Sequence, residues 1–539
     1  MRKSSNAMHV AITKRTYKGK TYTSILLRQT YREDGKVKHR TLANLSALPE
    51  HVIDLIRRAL KGEAFISASE AFRITASRSH GAVWAVLSTV RQIGLDKLLG
   101  GDELWRSIVI GMIVARLVEP GSKRFTRSYW QQTTLPSLLS LPETLSVNDL
   151  YDAMDTLLQR QPAIEKKLAK RHLEEGALVL YDLSSSYLEG THCPLAEFGY
   201  SRDKKRRKMQ FTYGLLTNKD GCPIAIEVFP GNCSDGTTLK EQITRLRKQY
   251  GLRRVVLVGD RGMITKTRIS ELKEAGYDWI TALRASDIQR LYADEAFQLS
   301  LFDERDLAEI EHPSFPGERL VVCRNPLMTE ERRRNREDLL QATERELEKI
   351  RARVEAGTLV SADRIGLAAG KVIDKYKMAK HFILEISDGI FRYRRDEARI
   401  EQEAQLDGIY VVRTAVPREE MSANEVVETY KGLQQVEQAF RNMKSMQLEL
   451  RPVFHRLATR VRSHVFLCMM AYYVQWHMMR ALRGLKESGD PAYGSFRLMM
   501  ERLKSLQQNT VECAGQMFEQ ITKPDEYQQQ ILDALGVRL

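Results

Sequence analysis

Three acidic residues stand where an acidic side chain is costly unless it has a task. Asp182 closes the apolar run ALVLYD and Asp260 closes RRVVLVGD, each at the expected end of a buried strand. A carboxylate left buried and unpaired there costs several kcal/mol. Each is therefore expected either to cap the next turn at the sheet edge or to bind a cation. The third, Glu437, lies in the helical stretch YKGLQQVEQAFRNMK, residues 430–444. At about 100° per residue, seven-residue steps return within roughly 20° of one direction, so Tyr430, Glu437 and Lys444 leave that helix on one stripe. If the helix packs across the sheet end that carries the aspartates, three like charges meet and cannot all stay ionised without a counter-ion. Two divalent cations would resolve the repulsion, and oxygen-only ligands favour Mg²⁺ or Mn²⁺ over zinc. Two such ions about 3.5–4 Å apart serve the attacking and leaving oxygens of in-line phosphoryl transfer.

The polymer around these residues fits a polyanionic partner. Lys and Arg number 84 against 69 Asp and Glu, a formal net charge of +15, which makes nucleic acid the leading candidate. The 539 residues exceed one compact core, and a prior of about 150 residues per domain gives three or four. The six cysteines form no CxxC pair and no His/Cys cluster at zinc spacing, which argues against a metal knuckle or disulfide framework. A reducing cytoplasm is the expected location. The N-terminal MRKSSNAMHVAITKRTYKGK has no apolar signal core. The most apolar run, Val465–Met479, holds Gln475 and His477 and is shorter than the roughly 20 residues that span a bilayer, so a core helix and no membrane are expected.

The elements that must position the carboxylates follow from the hydropathy pattern. Residues 1–75 read as a small basic module of alternating strands with the Asp34-Gly35 hairpin turn and one helix. It is either a DNA clamp or an ordinary basic surface. Residues 76–176 turn helical. Within them EPGSKRFTRSYWQQT mixes basic residues with Phe125, Tyr129 and Trp130, as a DNA-contacting loop or an aromatic helix junction would. Residues 177–285 give strand, hairpin, helix, strand, the order of a mixed α/β sheet buried on both faces. Residues 286–405 read as an insertion, with strand-like pieces around a long charged helix whose seam is Leu340, Thr343, Leu347, Ile350 and Val354. Residues 406–485 resume the core with one strand and two helices, and 486–539 form a helical tail. The run Asp203, Lys204, Lys205, Arg206, Arg207, Lys208 is either a solvated loop or a track for the DNA backbone. His455, His464 and His477 lack ligand spacing and read as structural.

In order and in local structure, these three motifs resemble the catalytic domain of the DDE insertion-sequence transposases. LVLYDLSSSYLEG carries the first Asp, VVLVGDRGM the second, and YKGLQQVEQAFRNMK the Glu with its Y-x6-E-x6-K spacing. The resemblance covers residues 177 to about 480, includes RPVFHRLATRVRSH, and suits the subgroup with a β-rich insertion before the Glu. One position departs: Leu433 stands where the signature has Arg, so a phosphate contact there is absent or falls to Lys431 or Arg441. The resemblance implies a ribonuclease-H-like mixed sheet interrupted by a β-rich insertion, preceded by the small β module and the helical segment. It implies that Asp182, Asp260 and Glu437 hold two Mg²⁺ or Mn²⁺ ions, while Tyr430 and Lys444 position DNA phosphate. It further implies binding of terminal inverted repeats and target DNA by a homodimer or larger synaptic complex, strand cleavage, and transfer of a 3′-OH into target. In some relatives a tryptophan of the insertion stacks on a flipped base. Trp279, the only Trp between Asp260 and Glu437, sits in YDWITALR and reads as core. The competing readings are a DNA-binding relic without chemistry, whose mark would be lost carboxylates, and a stand-alone nuclease of the same fold.

Overall fold

The computed structural model describes residues 7–63, 72–190, 192–203, 205, 207–233, 235–296, 306–513 and 516–539. The chain forms two compact units, residues 1–78 with 507–522, and residues 79–506 with 523–539. In the first, β1 (Met8–Tyr17), β2 (Lys20–Glu33) and β3 (Lys36–Asn44) make an antiparallel sheet in that order. The β2–β3 turn places Asp34 at φ 50° and Gly35 at φ 73°, the left-handed pair that a tight hairpin requires and that Asp-Gly supplies. The helix Glu50–Leu60 follows. A second sheet pairs β4 (Phe72–Ser79) with the hairpin of β15 (Gln507–Cys513) and β16 (Gln516–Ile521). The expected all-helical tail therefore contains two strands.

The second unit is built on an eight-stranded mixed sheet. Its strands are β5 (Ala177–Tyr187), β6 (Gln210–Asn218), β7 (Pro223–Pro230), β8 (Val255–Val258), β9 (Asp278–Ala282), β10 (Leu307–Ile310), β11 (Arg319–Arg324) and β14 (Ile409–Thr414), ordered β10-β11-β14-β9-β8-β5-β6-β7. The central β5, β8 and β9 are parallel and the other neighbours antiparallel. Val255–Val258 is buried throughout, as a strand covered on both faces must be. Trp279 is 1% exposed within β9, the core position its sequence context predicts. The helices Glu103–Val118 and Val147–His172 pack against Ala458–Ala481, which also lies on β7. That last helix, containing the apolar run 465–479, is buried along most of its length. Among the described residues no helix is long and apolar enough to cross a membrane.

Three local expectations are refined or corrected. The segment expected as a DNA-contacting loop or an aromatic helix junction contains the helix Lys123–Trp130, N-capped by the Ser122 hydroxyl, which accepts from the Phe125 N–H. The span expected to interrupt the core lends β10 and β11 to the main sheet, because β11 pairs with β14 along its whole length. What stands apart is the part between them: the helices Pro326–Glu355 and Ala362–Tyr376 with β12 (Phe382–Ser387) and β13 (Ile390–Arg395). Its own core joins Leu340, Leu347, Ile350 and Val354 to Ile365, Phe382 and Phe391, so the apolar seam of the long helix is buried as its spacing requires. Finally, Asp182 lies within β5, not at its end. The strand continues through Ser184, Ser185 and Ser186 because they pair with β6.

Candidate active site

Register brings the two aspartates together. Parallel pairing of β5 and β8 runs to Leu180↔Val258, and Asp182 and Asp260 each follow two residues later. They therefore leave neighbouring strands at the same level, on the side where β8 ends and β5 goes on as half of a hairpin. Asp260 is exposed and its Oδ1 accepts from the Arg261 N–H at 2.7 Å.

The helical stretch behind Glu437 is not one helix. Ala423–Lys431, opened by a Ser422/Glu425 capping box, and Leu433–Arg441 meet at Gly432, and a wider turn follows over Asn442–Met446. Val436, Ala439 and Phe440 are buried as the helix Leu433–Arg441 packs on β5 and β6, with Phe440 edge-on to Tyr213 at 5.5 Å. Glu437 projects from the margin of that buried face into a cleft of about 860 Å³ lined also by Asp182, Asp260, Arg202, Arg261 and Tyr430.

Asp182 senses the other two carboxylates. Burial pushes the Asp182 carboxyl up to about 7; the Leu183 N–H and the Arg202 guanidinium oppose this, while the charges of Asp260 and Glu437 add to it. Tyr430, half-buried beside them, is pushed up to about 12, by burial first and then by the charge of Asp260, with Asp182 and Glu437 adding further. An all-oxygen donor set whose buried carboxyl is pushed up by burial and like charge fits a hard divalent cation. Asp182, Asp260 and Glu437 are the residues that could hold it.

The remaining predicted contacts divide. Arg441 is exposed and lines the cleft, as does Lys431, whose Nζ lies 3.0 Å from Glu428. Leu433, in place of the signature Arg, is part of the cleft wall. Lys444 also reaches the cleft, but it is buried and its Nζ lies 2.8 Å from Asp203 Oδ1; Arg451 holds the other oxygen at 2.7 Å. Burial lowers the Lys444 pKa and the Asp203 carboxylate partly restores it. Of the basic run, Lys205, Arg207 and Lys208 are exposed, with Lys208 paired to Glu189 at 2.7 Å. Lys204 and Arg206 lie outside the described residues. Sequence reasoning did not find Arg202, Arg261, Asp203 and Arg451 as site residues. Arg261 had a signal, since it follows the second aspartate directly, and Arg451 opens RPVFHRLATRVRSH; Arg202 and Asp203 are brought in only by the long β5–β6 connection.

Residues 179–474, more than half of the chain, match the family of the transposase DDE domain. Residues 10–71 match the IS1634 family transposase, N-terminal domain. No curated protein matches. A solved structure, the piggyBac transposase synaptic complex with hairpin DNA, aligns over 79% of this chain and 76% of that one at 9% identity and a TM-score of 0.35, a likeness on which nothing further rests. With a DDE domain over the sheet and its flanking helices and an insertion-sequence N-terminal domain ahead of it, the chain belongs to the DDE transposases of insertion sequences.

Proposed function

We propose that this transposase cleaves DNA at the ends of its insertion sequence and joins the freed 3′-OH to target DNA, with Asp182, Asp260 and Glu437 as the metal-holding triad. The observation that carries this is the shared register of Asp182 and Asp260, two residues past the last β5–β8 pair, facing Glu437 across one cleft. The strand order β7-β6-β5-β8-β9 supports a ribonuclease-H-like arrangement. All three carboxylates are present, which favours an active enzyme over a DNA-binding relic.

Bound Mg²⁺ or Mn²⁺, as a pair, would activate the attacking oxygen and stabilise the leaving one. The chain's own groups do the rest. Asp182, whose carboxyl burial and its neighbours push up to about 7, would give up its remaining proton to a bound cation. Arg202 and Arg261 supply fixed positive charge at the cleft for the phosphate being transferred. Arg441 and Lys431 lie on the rim where the strand's backbone would run, and the Tyr430 hydroxyl stays protonated as a donor. In the first step water attacks phosphorus and the 3′ oxygen leaves as a hydroxyl. In the second that hydroxyl attacks a target phosphodiester and the target's own 3′ oxygen leaves. Pairing of two ends in a homodimer or larger complex, and end recognition by the basic N-terminal module or the helical segment 76–176, belong to the same proposal.

Asp182→Asn is expected to abolish cleavage while leaving binding of end DNA nearly unchanged, measured by gel-based cleavage and by fluorescence anisotropy. Full cleavage by that variant would remove Asp182 from the site.

A further inference from the structure

His172, Cys222 and His477 line no part of the carboxylate cleft, yet they meet. His172 ends the helix Val147–His172, Cys222 lies in the turn between β6 and β7, and His477 is near the end of Ala458–Ala481. Each offers one ligand atom, and the three atoms lie within 4.8 Å of one another. Ligand atoms held about 2.0–2.3 Å from a metal lie less than about 4.6 Å apart, so small side-chain adjustments bring all three to one ion. No sequence spacing announces this group, because its members come from three elements far apart in the chain.

The surroundings are those of a ligand set. His477 Nε2 is buried without a hydrogen-bond partner, a cost that native interiors rarely leave unmet. His172 Nε2 lies 2.9 Å from the Tyr473 hydroxyl, the kind of outer hydrogen bond that fixes a ligating imidazole. The Cys222 turn is itself held, its N–H donating to Asn218 Oδ1 at 2.9 Å and its carbonyl accepting from the Asn218 N–H at 3.1 Å. The Cys222 thiol must release its proton to bind a metal. The resulting thiolate selects a soft ion.

We propose that His172, Cys222 and His477 bind one thiophilic closed-shell cation, zinc or cuprous copper, which staples the helix Val147–His172 to the β6–β7 turn and to the helix Ala458–Ala481. This site is separate from the magnesium-type chemistry of the carboxylates and does not depend on it. The test uses the full chain stripped by chelator. Cobalt(II) is added as a zinc surrogate, and thiolate-to-cobalt charge-transfer absorption is followed; oxygen ligands of the carboxylate cleft give no such band. One equivalent producing the band, its displacement by zinc, its absence in Cys222→Ser and at least about tenfold weaker binding in His477→Gln are expected for zinc. No cobalt band, but one equivalent of cuprous ion retained against a competing chelator by wild type and not by Cys222→Ser, identifies copper. Neither ion bound by wild type, or an unchanged band in Cys222→Ser, overturns the proposal. The wild-type titration decides even if a variant does not fold.

Discussion

Asp182 and Lys444 show two ways in which this site handles buried charge. Asp182 is held near the point of ionisation by burial and by two neighbouring carboxylates. Lys444 is instead neutralised by Asp203, which also takes Arg451. The aspartates and Glu437 were legible because a charge at the end of an apolar run or beside a buried helix face is locally anomalous. The partner of Lys444 was not, since Asp203 stands at the head of a basic run and reads as part of a solvated loop. Removing that carboxylate strands two cations in a poorly hydrated place. Asp203→Ala is expected to lower the unfolding free energy by about 3 kcal/mol or more, measured by urea denaturation. A loss below about 0.5 kcal/mol would show that Lys444 and Arg451 simply turn to water.

At the scale of elements, the helix Val147–His172 is tied to the sheet through Glu165. This fully buried carboxylate accepts from Gln161 Nε2 at 2.7 Å, the Ile226 N–H at 3.1 Å and the Tyr250 hydroxyl at 3.2 Å, and faces Arg245 at 3.5 Å. Burial still prevails and pushes it up to about 7. Between about pH 4.5 and 7 the folded protein keeps a proton that the unfolded chain has released, so this group's contribution to stability falls as pH rises through that window. Glu165→Gln carries no such proton. The stability of wild type relative to this variant, from urea unfolding, is expected to decline from the acid to the neutral end of the window; a constant difference would contradict the shift. The insertion offers a second test. Leu347 is buried in a core that joins the two helices and the β12–β13 hairpin. Leu347→Ala is expected to cost about 2–5 kcal/mol locally, with amide exchange rising across residues 326–395 and unchanged in β5, β8 and β9. Equal loss of protection in the sheet would mean that the insertion and the sheet open together. The long helix and its seam were visible from periodicity. Membership of β10 and β11 in the main sheet was not, because strand order is set by pairing across the chain. Nor was the continuation of β5 past Asp182, since three consecutive serines carry no strand signal until β6 is in place.

For the molecule as a whole, the excess of 84 basic over 69 acidic residues implies binding in which phosphate neutralisation releases counter-ions. The logarithm of the affinity for end DNA is expected to fall linearly with the logarithm of salt concentration, with a slope that counts the phosphates engaged; an affinity indifferent to salt would contradict a backbone-dominated interface. The chain's family is shown by two domains found in it, and the proposed chemistry rests on one cleft lined by three carboxylates. The most direct test of that chemistry is joining of DNA bearing the element's own ends to a supercoiled target, with Mg²⁺ or with EDTA, by wild type and Glu437→Gln. Joining by wild type that requires Mg²⁺ and disappears in Glu437→Gln is the expected result. Joining in EDTA, or by Glu437→Gln at the wild-type rate, would contradict it.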